Sequence, residues 1–151
     1  MDKDKFVNKV LEAETTMYRV AKSILICDCD TEDAVQDAIL KAYTKLSTLR
    51  KEQYFKTWLI RILINECYKK KRSQTVTVPI EEYMKVSYDN GRELYEAIMK
   101  LPSHIRITIV LHYIEGYSVE EIGRILKIPA GTVKSRMHNG RKLLKEELKD
   151  E

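Results

Sequence analysis

Hydrophobic residues recur at intervals of three and four positions along most of this chain, which is the period of an amphipathic α-helix. Three such stripes occupy the first half of the sequence. Their predicted inward residues are Phe6, Val7, Val10, Leu11, Met17, Tyr18, Ala21, Ile24 and Leu25 in the first helix; Ala34, Val35, Ala38, Ile39, Ala42, Tyr43 and Leu46 in the second; and Phe55, Trp58, Leu59, Ile62, Leu63 and Cys67 in the third. Asp30 or Thr31 is predicted to cap the second helix, because such side chains accept hydrogen bonds from the free N–H groups of a helix start. The pattern predicts a three-helix bundle over residues 1–72.

The helical pattern breaks once and then resumes. Residues 73–91 have no helical period and end in the turn-forming sequence DNG, so we predict a flexible linker there. Helical spacing returns from residue 92, with one interruption at Pro102. The chain is therefore predicted to be all-α, with two small helical domains, residues 1–72 and 92–151, joined by the linker.

The C-terminal domain carries the pattern of two short helices joined by a tight turn. Ser118 and Glu121 form an S-x-x-E capping box, and Pro129 ends the first helix because proline has no N–H to donate. Gly123 lies where the two helices must approach most closely, and we expect room for no more than a methyl group there. The second helix has no acidic residue between positions 131 and 145, and its apolar residues are Val133, Met137, Leu143 and Leu144. This arrangement is typical of a helix-turn-helix, whose second helix enters the major groove of DNA.

Charge is unevenly distributed, although the formal net charge is only +4. Residues 1–40 carry a net charge of −4 and residues 41–72 a net charge of +8, while residues 73–117 and 118–151 carry −2 and +2. Two basic zones separated by an acidic one suggest two contacts with one polyanion, with the acidic N-terminal part facing another partner. Charged helix faces are often merely solvated, but a basic zone on a helix-turn-helix makes that reading the weaker one.

The outward side of the second helix is predicted to bind a protein. Asp33, Gln36, Asp37 and Leu40 are spaced so that all four share one side of the helix. Single exposed leucines are common, but a leucine surrounded by two carboxylates and an amide is typical of a protein contact.

A second polar face lies on the third helix, where Thr57, Arg61, Asn65, Tyr68 and Arg72 recur at helical spacing. The sequence KKKR follows at residues 69–72. The attraction of cations to a helix C-terminus explains two or three of these basic residues, but not four in a row on a helix that already carries Arg61. Asparagine and arginine beside aromatic rings are the residue types that read base edges and stack on unpaired bases. We therefore predict a nucleic-acid contact on this face.

Other features limit the compartment and the metal chemistry. No apolar run approaches the length of a membrane span and the first five residues are charged, so a cytoplasmic protein without membrane insertion is expected. Cys27, Cys29 and Cys67 agree with a reducing compartment. Cys27 and Cys29 could form half a metal or redox site, but no second Cys or His pair completes it. We predict inert thiols and no metal.

An enzyme is not favoured. Asp33 and Asp37 are a carboxylate pair of the kind a nuclease uses, but no histidine or third acid converges with them in sequence. His104, His112 and His138 are scattered, and no glycine-rich loop that could cradle a phosphate is present. We therefore predict no catalytic residues and no cofactor.

Three stretches resemble the bacterial RNA polymerase sigma factors of the small extracytoplasmic-function (ECF) group. Residues 30–37, DTEDAVQD, are similar to the family's D-x-E-D-x-x-Q-[ED] helix. Residues 55–65, FKTWLIRILIN, resemble its F-x-x-W-L-x-R-I-x-x-N helix, and residues 131–136, GTVKSR, resemble its recognition helix. The resemblance extends over nearly the whole chain, with the three motifs in the family's order.

The resemblance implies an alternative sigma factor with region 2 at residues 1–72 and region 4 at residues 92–151. Asp33, Gln36, Asp37 and Leu40 would dock on the clamp helices of the polymerase β′ subunit. With the loop at residues 47–54, the −10 element would be bound by Arg61, Asn65, Tyr68, Lys69 and Arg72. The −35 element would be bound by Lys134, Ser135, Arg136, His138, Asn139 and Arg141. The implied partners are core RNA polymerase, including its β flap, promoter DNA and an anti-sigma factor.

The chain departs from the family at a few positions. Gly140 stands in the sequence Asn-Gly-Arg where the family often has Arg-Ala-Arg, and glycine inside a helix costs about 1 kcal/mol relative to alanine. Lys127 replaces the glycine usual in the turn. Ile60 stands where tyrosine is frequent, so one stacking surface is expected to be missing. These departures concern the promoter sequence rather than the class of protein.

Two alternatives belong to other classes. A stand-alone helix-turn-helix regulator would bind operator DNA without polymerase and use the N-terminal bundle to dimerise. It would leave the Arg61 and Asn65 face and the acidic second helix without a role. A pure interaction protein, such as an anti-sigma factor, would not need a basic recognition helix.

Overall fold

The computed structural model of this chain describes residues 1–73 and 92–149, and it divides into two compact units, Met1–Thr75 and Val76–Glu151. Every regular element in the described ranges is a helix, in agreement with the predicted all-α class. The predicted linker at residues 73–91 lies outside the described residues except for Ser73, which is the last residue of the third helix. The linker therefore stays a prediction.

The N-terminal unit contains three long helices, α1 (Lys3–Leu25), α2 (Asp28–Thr44) and α3 (Phe55–Ser73). Two short 3-10 turns, Leu46–Thr48 and Glu52–Tyr54, lie in the connection between α2 and α3, which the sequence predicted as a loop. Each of the three helices packs against the other two. The result is the predicted three-helix bundle.

The predicted cap of α2 is wrong, because the chain reverses more sharply than expected after α1. Ile26 has φ 74° and ψ −47°, and the Cys27 N–H donates to the Leu25 carbonyl at 2.8 Å, which is a γ-turn. This turn makes Cys27 the N-cap residue, without a hydrogen bond from its side chain. Asp30 and Thr31 instead lie in the first turn of α2, where the Thr31 hydroxyl donates back to the Cys27 carbonyl at 2.8 Å.

Two residues predicted inward on α1 are exposed. Val7 and Leu11 are 43% and 59% exposed. Each follows a buried residue, Phe6 or Val10, by one position and is therefore rotated by about 100° from the core. The core of α1 is completed by smaller or later residues, namely Ala13, Met17, Val20, Ala21, Ile24 and Leu25. On α2, Tyr43 was also predicted inward and is 49% exposed, although its ring lies 5.3 Å from that of Phe6.

Helix α3 is buried on a wider face than predicted, because α1 and α2 both pack against it. The predicted core residues Phe55, Leu59, Leu63 and Cys67 are buried, whereas Trp58 and Ile62 are half-buried. Ile60 and Ile64 are buried as well. The side chain of Ile60 is fully enclosed in the bundle. The expectation that a stacking surface is missing at this position stays a prediction.

An ion pair joins α2 to α3 at the edge of the core. Lys41 Nζ lies 2.7 Å from Glu66 Oε1, and the Glu66 side chain is only 11% exposed. A carboxylate that is largely removed from water needs such a partner, because an unpaired buried charge is strongly destabilising. The pair thus helps to keep the outward faces of the two helices at a fixed orientation.

The C-terminal unit contains α4 (Arg92–Met99), α5 (Ser103–Ile109), α6 (Val119–Leu126) and α7 (Ala130–Lys149). A π-helical turn at Val110–Ile114 continues α5. The break at Pro102 is confirmed, since α4 ends before it and α5 begins after it. α4, α5 and α6 all pack against α7, which is therefore held in place by three helices.

A buried arginine holds the α4–α5 corner together. Arg106 is 4% exposed, and its Nη1 donates to the carbonyl oxygens of Met99 at 3.0 Å and Leu101 at 3.2 Å. The last carbonyls of a helix have no partner within the helix, so the guanidinium satisfies acceptors that would otherwise be buried unpaired. Arg106 was not singled out from the sequence.

Two glycines permit α7 to approach its neighbours. A Cβ at Gly123 would lie 2.9 Å from the Ile128 carbonyl oxygen, so the position does not accept even the methyl group that we expected it to tolerate. Gly140 is also buried, and a Cβ there would lie 2.8 Å from Ile109 Cδ1 and 2.9 Å from Ile105 Cγ2. Glycine at position 140 is therefore a packing requirement of the α5–α7 contact, in addition to being a weak helix former.

We expect Gly140→Ala to be less stable than Gly131→Ala by about 1–3 kcal/mol, the usual cost of overpacking a core. Both substitutions raise the helix propensity of α7. A Cβ at Gly131 would meet no heavy atom of another element within 4 Å, whereas a Cβ at Gly140 would meet the side chains of Ile105 and Ile109. The difference between the variants therefore isolates packing. Hydrogen exchange of the α5 and α7 amides in urea measures it for this unit alone, and equal protection of the two variants would contradict the close contact.

Candidate functional site

The helix-turn-helix is formed as the sequence predicts. Ser118 Oγ accepts from the Glu121 N–H and Glu121 Oε1 accepts from the Ser118 N–H, both at 3.1 Å, so the capping box at the start of α6 is complete. Helix α6 ends at Leu126, and its C-cap residue Lys127 adopts the left-handed conformation with φ 59° and ψ 46°. That conformation explains why glycine is usual there, since a residue with a Cβ pays roughly 1–2 kcal/mol for it.

The orientation of α7 follows from its buried residues. Val133, Met137 and Gly140 are spaced by four and three positions and face the other helices of the unit. Leu144 packs against the α4–α5 core, whereas Leu143 is 36% exposed. The opposite side of α7 is thereby turned to solvent.

The six residues predicted to bind the −35 element all lie on α7. Five of them are exposed and Arg136 is half-buried; the exposed ones are Lys134, Ser135, His138, Asn139 and Arg141. The described part of α7 between residues 130 and 145 has no carboxylate that would repel a phosphate backbone. The helix can therefore present hydroxyl, amide, imidazole and cationic groups to a duplex groove.

One contact of α7 was not predicted. Arg141 Nη1 donates to the hydroxyl of Tyr113 at 3.0 Å. Tyr113 belongs to the π-helical turn after α5, and sequence periodicity gives no sign of such a turn because it shifts the helical register by one residue.

The polar face of α3 is also formed. Arg61, Asn65, Tyr68 and Arg72 follow one another at spacings of four, three and four and so share one side of the helix. Asn65 and Arg72 are exposed together with the neighbouring Lys69, while Arg61 and Tyr68 are half-buried. An amide, a phenol ring and several cations are thus available on one helix face for contacts with bases and phosphates.

The basic residues at the C-terminal end of α3 lie on two different sides of the helix. Lys70 does not lie with the predicted nucleic-acid face, because its Nζ is 3.7 Å from Asp33 Oδ2 and 3.8 Å from Asp37 Oδ2 on α2. The sequence KKKR therefore divides between the two faces, with Lys69 and Arg72 exposed at the other side.

The predicted docking face of α2 is open to solvent. Asp33, Gln36, Asp37 and Leu40 are all exposed. Leu40 is 66% exposed, more than any other large hydrophobic residue in the described ranges. Because an apolar side chain ringed by polar groups is the usual composition of a binding hot spot, this face fits a protein partner.

The cysteines of the N-terminal unit do not point to a catalytic or metal site. Burial raises the pKa of the Cys67 thiol to about 12, with the neighbouring Glu66 adding to the shift, so this thiol stays protonated. Cys27 is half-buried and Cys29 is exposed. In residues 1–73 and 92–149 no group of three or more His, Cys, Asp or Glu side chains could hold a metal ion. No helix in these ranges is long and apolar enough to cross a membrane.

Comparison with known proteins matches both units to sigma factors. Residues 11–77 match the family described as sigma-70 region 2, and residues 91–144 match sigma-70, region 4. The ECF RNA polymerase sigma factor SigW of Bacillus subtilis is 33% identical over 171 aligned positions, which cover 99% of this chain and 91% of SigW. The ECF RNA polymerase sigma-E factor of Escherichia coli K12 is 30% identical, with 76% of this chain and 72% of that protein covered.

Solved structures give the same result. The sigma factor RpoE of Bartonella quintana, solved with the anti-sigma factor NepR, superimposes with a TM-score of 0.80 at 26% identity, covering 96% of this chain and 97% of RpoE. CnrH, solved with the cytosolic domain of CnrY, shares the fold with a TM-score of 0.78 at 24% identity, covering 99% of this chain and 91% of CnrH. The motifs at residues 30–37, 55–65 and 131–136 lie on α2, α3 and α7, as the resemblance implied. The chain therefore belongs to the ECF group of bacterial RNA polymerase sigma factors.

Proposed function

We propose that this protein is an alternative sigma factor that binds core RNA polymerase, recognises promoters through a −35 and a −10 element, and opens the DNA at the −10 element. The observation that carries the proposal is that each unit exposes a polar, basic helix face, and that the two faces differ in composition. Helix α7 presents a basic face suited to a duplex groove, and α3 presents Asn65 and Arg61 on a face suited to unpaired bases. A protein that only binds duplex DNA has no use for the second face.

The exposed acidic face of α2 is the proposed docking site for the β′ clamp helices. Asp33 and Asp37 would pair with cations of the polymerase, and Leu40 would be buried as the apolar centre of the contact. Lys70 already neutralises part of this carboxylate pair in the free protein. Docking on a basic partner would exchange this contact for a stronger set rather than expose an uncompensated charge.

We also propose that the protein acts in the cytoplasm, where its polymerase works, and has no catalytic activity of its own. An anti-sigma factor is a proposed regulator, because the RpoE structure that this chain resembles contains the anti-sigma factor NepR. The β flap is the proposed contact of the C-terminal unit on core polymerase.

The stand-alone operator-binding regulator is not favoured, because the relatives that cover most of the chain are named ECF sigma factors.

Run-off transcription from a promoter library, with core polymerase alone and with this protein added, tests the proposal. We expect initiation at a defined subset of promoters only when both are present. Nanomolar, sequence-specific duplex binding by the free protein, without any transcription, would overturn the proposal and favour the regulator.

Lys134→Ala and Arg136→Ala are expected to reduce transcription from promoters that depend on the −35 element. A side chain that reads a base edge contributes about 1–3 kcal/mol of discrimination, whereas loss of a phosphate contact lowers the salt slope by about 1 without changing sequence preference. Lys149→Ala is the matched control, since it removes a cation from the last turn of the same helix. If both test variants transcribe like the control, the recognition segment of α7 has been placed wrongly.

A further inference from the structure

The C-terminal unit has an exposed aromatic side chain outside the helix-turn-helix that contacts α7. Tyr113 is 54% exposed, and its hydroxyl accepts a hydrogen bond of 3.0 Å from Arg141 Nη1. Lys134, Arg141 and Lys145 are spaced by seven and four positions on α7, so Arg141 belongs to the basic side of that helix. The tyrosine therefore lies at the edge of the proposed −35 face although it comes from the turn after α5.

The position of the Tyr113 ring is restricted by its neighbour. The ring of His112 meets it edge to face, with the centroids 4.8 Å apart and the planes at 85°. His112 Nδ1 lies 2.8 Å from the Tyr117 carbonyl oxygen. Because a carbonyl oxygen only accepts hydrogen bonds, Nδ1 carries the proton in this contact, and the imidazole is tied to the backbone that leads into α6. The histidine thus limits the rotation of the tyrosine ring.

Tyr113 and Arg141 each retain hydrogen-bond donors that their mutual hydrogen bond does not use. A phenol that accepts from a guanidinium retains its own O–H for a second acceptor, and a guanidinium has five N–H donors, of which this contact uses one. Two donors side by side, one of them cationic, match a phosphate oxygen, and charge-assisted bonds of this kind are stronger than neutral ones. Contacts with the DNA backbone fix the register of a protein on its duplex.

We propose that Tyr113 and Arg141 together bind one backbone phosphate of the −35 duplex, with Tyr113 holding the Arg141 guanidinium in place. This inference rests on the proposed binding of α7 to duplex DNA. It adds a contact from the π-helical turn that the recognition helix does not itself supply. The expected role is to set affinity and register rather than sequence preference.

Binding of the polymerase holoenzyme to a −35 duplex, measured as a function of salt for Tyr113→Phe, Arg141→Gln and the double variant, tests the pair. We expect Arg141→Gln to reduce the slope of log K against log salt by about 0.9, the value for one neutralised phosphate. Tyr113→Phe keeps the ring and the charge, so it should weaken binding several-fold with an unchanged slope. The double variant should lose less affinity than the two single variants combined, because both side chains contribute to one phosphate contact and Tyr113 also positions Arg141.

A methylphosphonate scan of the duplex then identifies the phosphate. Neutralising one particular phosphate should weaken binding of the wild-type protein and, because Arg141 keeps its charge, of Tyr113→Phe, but should have little further effect on Arg141→Gln. Independent, additive effects of the two substitutions, or an unchanged affinity of Tyr113→Phe, would overturn the proposal that Tyr113 and Arg141 bind one phosphate together. If the wild-type holoenzyme does not prefer a matched over a scrambled −35 sequence, the proposed function itself is overturned. If the wild type and Tyr113→Phe both keep this preference and bind equally tightly, only the Tyr113–Arg141 contact is overturned.

Discussion

Asn65→Ala is expected to leave core binding nearly intact and to block opening of the −10 element. Asn65 is exposed on α3, one turn from Arg61 and on the same side. Extruding a base from the stack costs a few kcal/mol, which contacts with the protein must offset. An amide that pairs with a base edge contributes about 1–3 kcal/mol, so its loss corresponds to a roughly 5- to 150-fold drop in the open complex.

Permanganate footprinting of the −10 thymines and run-off transcription measure this effect directly. A premelted template with the correct unpaired −10 sequence should restore much of the activity of Asn65→Ala, because the cost of melting has already been met. Lys56→Ala is the matched control, since Lys56 is exposed on the opposite side of the same helix. Normal opening by Asn65→Ala would show that this side of α3 is ordinary solvated surface.

The faces of α3 and α7 could be predicted because long helices leave little freedom in where side chains point. Residues 55–73 contain neither glycine nor proline, so Arg61, Asn65, Tyr68 and Arg72 must share one side once the helix forms. The capping box of Ser118 and Glu121 fixes the start of α6 by local hydrogen bonds alone. Both predictions depend on interactions within a few residues, which the sequence displays directly.

The predictions that failed depend on how helices approach one another. Periodicity cannot distinguish Val7 and Leu11 from buried neighbours, because only the position of α2 and α3 decides which edge of the α1 stripe is covered. The predicted inward stripe of α3 does not include Ile60, although the bundle encloses this side chain. The same limit explains Gly140, which looks like a weak helix residue until the side chains of Ile105 and Ile109 are found against it.

Irregular backbone explains the other features that the sequence did not predict. The γ-turn at Ile26 moves the start of α2, and the π-helical turn after α5 places Tyr113 beside Arg141. Neither involves a glycine or proline that would have marked it in the sequence. The division of the basic end of α3, with Lys70 near Asp33 and Asp37, likewise depends on the crossing of two helices.

Reversing the charge of Asp33 and Asp37 to lysine is expected to abolish association with core polymerase. Both carboxylates are exposed beside Leu40, so the substitutions would place two cations on a face proposed to meet a basic surface. Like charges across an interface cost several kcal/mol, which is sufficient to remove a contact of moderate affinity. The contacts with Lys70 are lost too, but exposed ion pairs of this kind contribute only about 0–1 kcal/mol, so the fold should persist.

Three further variants separate docking from general charge effects. Glu32→Lys reverses an exposed charge on α2 outside the proposed docking set and should bind core normally. Asp33→Asn with Asp37→Asn removes the charges without adding repulsion and should bind with intermediate affinity. Leu40→Ala should weaken docking while leaving the surface charge unchanged, because it removes the apolar centre. Pull-down of core polymerase, with circular dichroism to confirm helicity, ranks the variants. Wild-type association of the double lysine variant would show that polymerase docks elsewhere on the chain.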